Sequence, residues 1–213
     1  MDSTTSAADG STQALRGTKA TIVEAAVETL KARGFAGASA REIAKTGGFN
    51  QALVFYHFGS VQNLLLSGLD LVSERRMRAY RPAFEQAQTL SDLARLAGEI
   101  YREDLDNGYV TVLVEMVAGA VSDPELGGEV AARMGPWLEL VENKVRSLMA
   151  GTLFEPLIPA GEIAFAIVAL YLGVDMLGHL GQDRRRAESL LELGIRLAPL
   201  AQVLLPAKSQ EER

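Results

Sequence analysis

Apolar positions in this chain recur with a helical period almost from end to end. Ile22, Ala26 and Leu30 repeat every four residues beside Val23 and Val27, the spacing of one buried helix face, and Gly34 stands where such a helix ends on a left-handed residue. Ser39 followed by Glu42 is a capping-box pattern, in which the hydroxyl accepts one orphan amide and the carboxylate returns to the cap. A short second helix through Lys45 follows, Thr46-Gly47-Gly48-Phe49 turns the chain, and Asn50 caps a third helix that ends near Gly59. A long helix opens at Ser60 and runs through Arg78, limited by Pro82.

Further periods predict helices over Leu90–Asp106, Tyr109–Val121, Glu125–Ala150, Gly161–Leu180 and Arg184–Leu204, with clear breaks at Asp123-Pro124 and Phe154–Pro159. Pro136 predicts a kink or a break inside its helix. The run YVTVLV from Tyr109 to Val114 alternates like a strand, but no partner run appears, so it reads as helix. The pattern therefore predicts an all-α chain. Its expected parts are a disordered tail over 1–17, a three-helix helix-turn-helix domain over 18–60, a second helical domain over 61–205 and a tail over 206–213.

Composition narrows this further. Of 213 residues, 48% are hydrophobic and 23% charged, enough for one larger or two smaller cores and too apolar for a disordered chain. The net charge is -6, unevenly divided: Ala14–Ser60 carries six basic residues against three acidic ones, and the remainder is strongly acidic. A mildly basic head on an acidic body suits anionic contact by the head only. With no cysteine, disulfides and cysteine-based zinc sites are excluded. The first 17 residues, rich in Ser, Thr, Ala and Gly, lack the apolar core of a signal peptide. The apolar stretch from Ile163 is interrupted by Asp175, short of a membrane span of roughly 18 residues. The expectation is a cytoplasmic protein with no membrane partner. No phosphate loop, nucleophile elbow or metal-ligand series occurs and there are only 2 histidines, so no cofactor and no metal are expected.

The third helix carries the most specific chemistry. Val54 and Phe58, four apart and apolar, point together into a small core, which leaves Gln51, Ala52, Phe55 and Tyr56 on the opposite face. Two aromatics are costly to leave in water, a reason to expect a partner. Gln51 suits adenine, Ala52 a thymine methyl, and Tyr56 and His57 phosphate oxygens. In this order Ile22, Ala25, Ala26, Leu30, Gly34, Ser39, Ile43, Ala44, Gly48, Tyr56, His57, Phe58, Ser60 and Leu64 resemble the TetR family of bacterial transcriptional regulators. The resemblance covers about residues 18 to 65. It implies contact with a double-stranded DNA operator by Arg16, Lys19, Ser39, Arg41, Asn50, Gln51, Ala52, Phe55, Tyr56, His57 and Ser60. Two positions depart from the family pattern: Phe55 stands where Tyr is usual and Val61 where Lys is usual, so one hydroxyl and one ammonium that contact phosphate are lost.

For the acidic body the resemblance implies a domain that binds a small-molecule effector and forms a homodimer through the last two helices. Stripes of Ile163, Ile167, Leu170 and Val174, and of Leu190, Leu193, Leu197 and Leu200, suit a dimer seam or an internal core. An apolar-walled pocket would draw on Tyr109, Leu113, Met116, Trp137, Leu140, Tyr171, Asp175 and His179, with Glu115 as a further acid. Asp175 and His179 share a helix face as a ligand-orienting pair, half of a metal site, or a hydrogen-bonded pair in the core or seam. Arg184-Arg185-Arg186 is a solvated helix start or a turn touching a partner subunit. The implied function is a repressor released from its operator by a small apolar or amphipathic molecule. Two other readings stay open: a helical enzyme using Asp175, His179 and Glu115 for acid–base work, and an adaptor in which Phe55 and Tyr56 face protein.

Overall fold

In a computed structural model of the chain, the structure describes the backbone of residues 4–152, 155–181 and 184–203, and the side chains of 17–152, 155–174, 176–177 and 185–200. Every element among these residues is a helix: α1 Thr4–Gly37, α2 Ala40–Gly47, α3 Ala52–Phe58, α4 Val61–Gln86, α5 Leu90–Asn107, α6 Tyr109–Ala120, α7 Pro124–Ala132, α8 Gly135–Met149, α9 Ala160–Gly181 and α10 Arg184–Val203. YVTVLV is accordingly the start of α6.

Three boundaries differ from the sequence reading. α1 continues back to Thr4, through residues whose composition predicts a disordered tail; that segment contains no proline to stop a helix. α4 runs past Pro82 to Gln86. The proline forfeits one backbone hydrogen bond, but the turn beyond it is held by Ala83 and Phe84, which pack on Tyr80, Leu96 and Ile100. The expected helix over Glu125–Ala150 is two helices, α7 and α8, and Pro136 sits in the first turn of α8, where its missing N–H costs nothing.

The chain forms two compact units: residues 1–74 with 111–130, and residues 75–110 with 131–213. The first takes in more than the expected helix-turn-helix, adding the first half of α4 and most of α6 and α7. Its fully buried side chains include Ile22, Leu30, Ile43, Val54, Leu64, Leu65, Val112, Met116 and Leu126. α4 lies close on α1 where Gly68 faces Val27: a Cβ on Gly68 would stand 3.1 Å from the valine methyl.

The second unit has three apolar clusters. Val141, Val145 and Met149 of α8 meet Ala164 and Ile163 of α9. Tyr80, Leu96 and Ile100 gather Trp137 and Tyr171. Tyr101 packs against Val174 and Ala187. The expected α9 stripe is therefore split: Ile163 and Val174 turn inward, whereas Ile167 and Leu170 lie outside with Phe165 and Leu177. α9 is apolar nearly all round, so periodicity alone cannot fix its orientation. On α10, Leu190, Leu193, Leu197 and Leu200 are all exposed, on one face as expected.

Candidate nucleic-acid interface

The first unit builds its three-helix core from local signals. Gly34 has φ 70 and ψ 175, a conformation that essentially only glycine adopts. Beyond it the Phe35 amide donates to Glu115 Oε2 at 2.8 Å, and the Phe35 ring lies over Gly119, where a Cβ would come within 2.5 Å. Ser39 caps α2 by accepting from the Glu42 amide at 3.3 Å. The reciprocal half of the capping box is absent: the Ser39 amide donates to the Gly37 carbonyl, and the Glu42 carboxylate pairs with Arg33 at 3.1 Å. α2 closes on Gly48 at φ 69 and ψ 32, a left-handed cap. Gly47 leaves room for the Phe49 ring, 2.3 Å from where its Cβ would stand.

This turn aims α3. The Ala52 amide donates to Asn50 Oδ1 at 2.9 Å, so Asn50 caps the helix although regular geometry begins at Ala52. Val54 is 0% exposed and anchors the inner face, while Phe55 is 53% and Tyr56 77% exposed. Gln51 and Ala52 are exposed with them, and His57 and Phe58 are half-buried. The Tyr56 and His57 rings meet edge-on, centroids 4.8 Å apart. α4 then starts from Ser60, whose hydroxyl accepts from the Asn63 amide at 3.0 Å.

Among the residues expected at DNA, Lys19, Ser39, Arg41, Asn50, Gln51, Ala52, Phe55 and Tyr56 are exposed, and Ser60 is half-buried. Ser39, Asn50 and Ser60 each spend a side-chain oxygen on a cap. The side chain of Arg16 lies outside the described residues. Val61 opens α4, half-buried.

Two sets of contacts escape a reading by helical period because they join distant positions. Buried Thr29 lies with its hydroxyl 2.9 Å from that of Thr46, linking α1 to α2. Gln62 on α4 donates to Asp123, 3.4 Å away, and Asp123 also caps α7. Glu115 did leave a signal, as a lone acid in the apolar helix YVTVLVEMVAGA. Its carboxylate accepts from the Phe35 amide and so ties α6 to the end of α1.

The ligand candidates divide between the units. Leu113 and Met116 are buried in the first; Tyr109, Trp137, Leu140 and Tyr171 belong to the second and are half-buried. The side chains of Asp175 and His179 lie outside the described residues. Trp137 and Tyr171 come together around an ionic centre that the sequence reading missed. Asp104 is 0% exposed and accepts from Arg76 Nε at 2.9 Å and from the hydroxyls of Tyr80 at 3.2 Å and Tyr171 at 2.7 Å. A second guanidinium nitrogen of Arg76 also pairs with it, and the guanidinium stacks 4.8 Å from the Trp137 ring centre. Burial pushes the Asp104 carboxyl above its ordinary range, with Arg76 and the two phenols pulling it back. Burial and the neighbouring Asp104 charge likewise raise Tyr80. Two clefts open in this unit, of about 220 Å³ and about 240 Å³, and among the described residues none of the expected ligand residues lines either. No group of His, Asp and Glu among the described residues could hold a metal ion, and no helix among them is long and apolar enough to cross a membrane.

Comparison with known proteins agrees with the first unit. Residues 22–67 match the family described as bacterial regulatory proteins, tetR family. The chain is 31% identical over 132 residues to the HTH-type transcriptional regulatory protein RaaS of Mycobacterium tuberculosis, an alignment taking in 62% of this chain and 56% of that protein. A TetR-family member from Streptomyces coelicolor A3 superposes with a TM-score of 0.60 at 26% identity, over 82% of this chain and 95% of that one. FadR of Bacillus subtilis, solved with stearoyl-CoA, shares the fold with a TM-score of 0.71 at 14% identity, over 84% and 96%. RaaS and FadR are both named as transcriptional regulators. A glycine-turned second and third helix with an exposed amide and aromatic face lies within residues 22–67, the part of the chain that is similar to the tetR family of bacterial regulatory proteins.

Proposed function

We propose that this protein is a homodimeric DNA-binding transcriptional regulator, a repressor that a small apolar or amphipathic molecule releases from its operator. The single observation carrying this reading is the outward face of α3. A seven-residue helix that buries Val54 completely leaves Phe55 at 53% and Tyr56 at 77% exposure. Gln51 and Ala52 complete a face fit to enter a major groove. Exposed Lys19 and Arg41 supply cations for phosphates.

Two copies would pair through α9 and α10. Their exposed leucines, with Phe165 and Ile167, form an apolar surface that water tolerates poorly, and a two-fold dimer presents two recognition helices to half-sites about 34 Å apart. The effector would act through the spacing of the heads: whatever binds the DNA-incompetent arrangement better weakens operator binding by the same factor that operator weakens effector binding. FadR, which binds stearoyl-CoA, is the precedent for an amphipathic effector.

The test is capture of genomic fragments on the purified protein, followed by binding to the recovered site. The double variant Gln51→Ala/Tyr56→Ala should lose specific binding while keeping its helicity and dimer mass. Normal binding by that variant would refute the assignment of α3.

A further inference from the structure

The corner between α3 and α4 is two residues long, Gly59 and Ser60, and the side chain that closes it has no part in the reading above. α3 has only 7 residues, too few to hold a helix in water unaided, so its direction is set by what grips it. Val54 anchors the middle and Asn50 the start. At the other end the last carbonyls find no partner within the helix itself. The Gly59 amide donates to the Phe55 carbonyl at 3.0 Å, with Gly59 at φ 75 and ψ -38. The Phe58 carbonyl, the final one of α3, accepts from Asn63 Nδ2 at 3.1 Å.

Asn63 is fixed from its own side as well. Its backbone amide donates to the Ser60 hydroxyl at 3.0 Å, in the first turn of α4. One residue therefore bonds to both arms of the corner. Asn63 is exposed, so burial does not call for an amide there, and in the first turn of a helix an acid would suit the dipole better. What the amide has and a carboxylate lacks is an N–H for a carbonyl to accept. The exposed aromatics Phe55 and Tyr56 lie within one turn of the bonded carbonyl, so any swing of this end moves the outward face with it.

We propose that Asn63 is a positioning residue for DNA recognition: through the Phe58 carbonyl it fixes the angle at which α3 leaves the corner, without itself touching the duplex. The proposal rests on the DNA reading, and one arm of its test needs no DNA. Amide exchange of the full chain is followed by NMR in the unaltered protein, in Asn63→Ala and in Asn63→Asp. Both variants lack the donor yet suit the first turn of a helix. Both should therefore exchange the Gly59 amide about fivefold faster, the worth of one hydrogen bond, with the core amides of Val112 and Met116 unchanged. If Asn63 served only the start of α4, Asn63→Asp would protect Gly59 at least as well as the native residue, which would overturn the proposal. On the captured site Asn63→Ala should bind about fivefold more weakly per head, with binding to random duplex unchanged because Lys19 and Arg41 stay in place. A phosphate contact by Asn63 itself would weaken both duplexes alike. That result, or undiminished binding of the captured site, would also overturn the proposal. An unaltered protein that binds no duplex would instead refute the DNA reading, and with it the role in recognition, with Gly59 exchange alone deciding what holds the corner.

Discussion

Replacing Asp104 by leucine removes the acceptor of Arg76, Tyr80 and Tyr171 at a position with 0% exposure. The Arg76 side chain is only 12% exposed, and a guanidinium cannot shed its charge. Removing one partner of such a pair costs about 3–5 kcal/mol, because the other charge is left uncompensated. At about 2–4 °C per kcal/mol for a chain of this size, the melting midpoint should fall by roughly 6–20 °C. The converse variant, Arg76→Met, should cost less, because a buried carboxyl already pushed up can take a proton and become neutral. Replacing both, Arg76→Met/Asp104→Leu, should recover at least half the loss of Asp104→Leu, since an apolar pair of similar volume is often neutral. Thermal unfolding followed by circular dichroism on the four proteins reads the cycle. A fall below about 3 °C for Asp104→Leu, or a double variant as unstable as the sum of the singles, would refute the reasoning.

Gly34→Ala should destabilise the first unit by about 1–3 kcal/mol, because φ 70 with ψ 175 disfavours a side chain and the new methyl would stand 2.8 Å from the Glu115 carboxylate; chemical denaturation measures it. The Asp92 carboxyl is held at about 2 by the Thr89 hydroxyl and the Gln88 amide. A depressed acid stabilises the fold above the ordinary carboxylate range of about 4 and loses that contribution as pH falls toward 2. Thr89→Ala should move the Asp92 midpoint, read by NMR, back toward 3.8. Restoring the usual family residues with Phe55→Tyr/Val61→Lys should tighten DNA binding and steepen the salt slope by about 0.9 per head.

The head was legible because its signals are local. Ser39, Gly48, Asn50 and Ser60 act within a few residues of themselves, and Val54 against Tyr56 is a matter of helical period. The residues that hold the head in place are not local: Glu115 reaches Phe35 across 80 positions. No period announces such a contact, though an acid alone in an apolar helix marks where to look. The same holds for Asp104, which shares the inner face of α5 with Ile100 and Tyr101, a stripe where a carboxylate demands partners. The orientation of α9 was not legible, because a helix apolar on nearly every side has several equally acceptable inner faces. Pro82 misled because packing of the following turn outweighed one missing hydrogen bond.

The salt dependence of duplex binding tests the central claim most directly. With exposed Lys19 and Arg41 in each of two heads, the logarithm of affinity should fall linearly against the logarithm of salt with a slope of about −3.6 or steeper. A slope near zero on the captured site, or no duplex binding at low salt, would contradict the assignment of α3 to a groove in DNA.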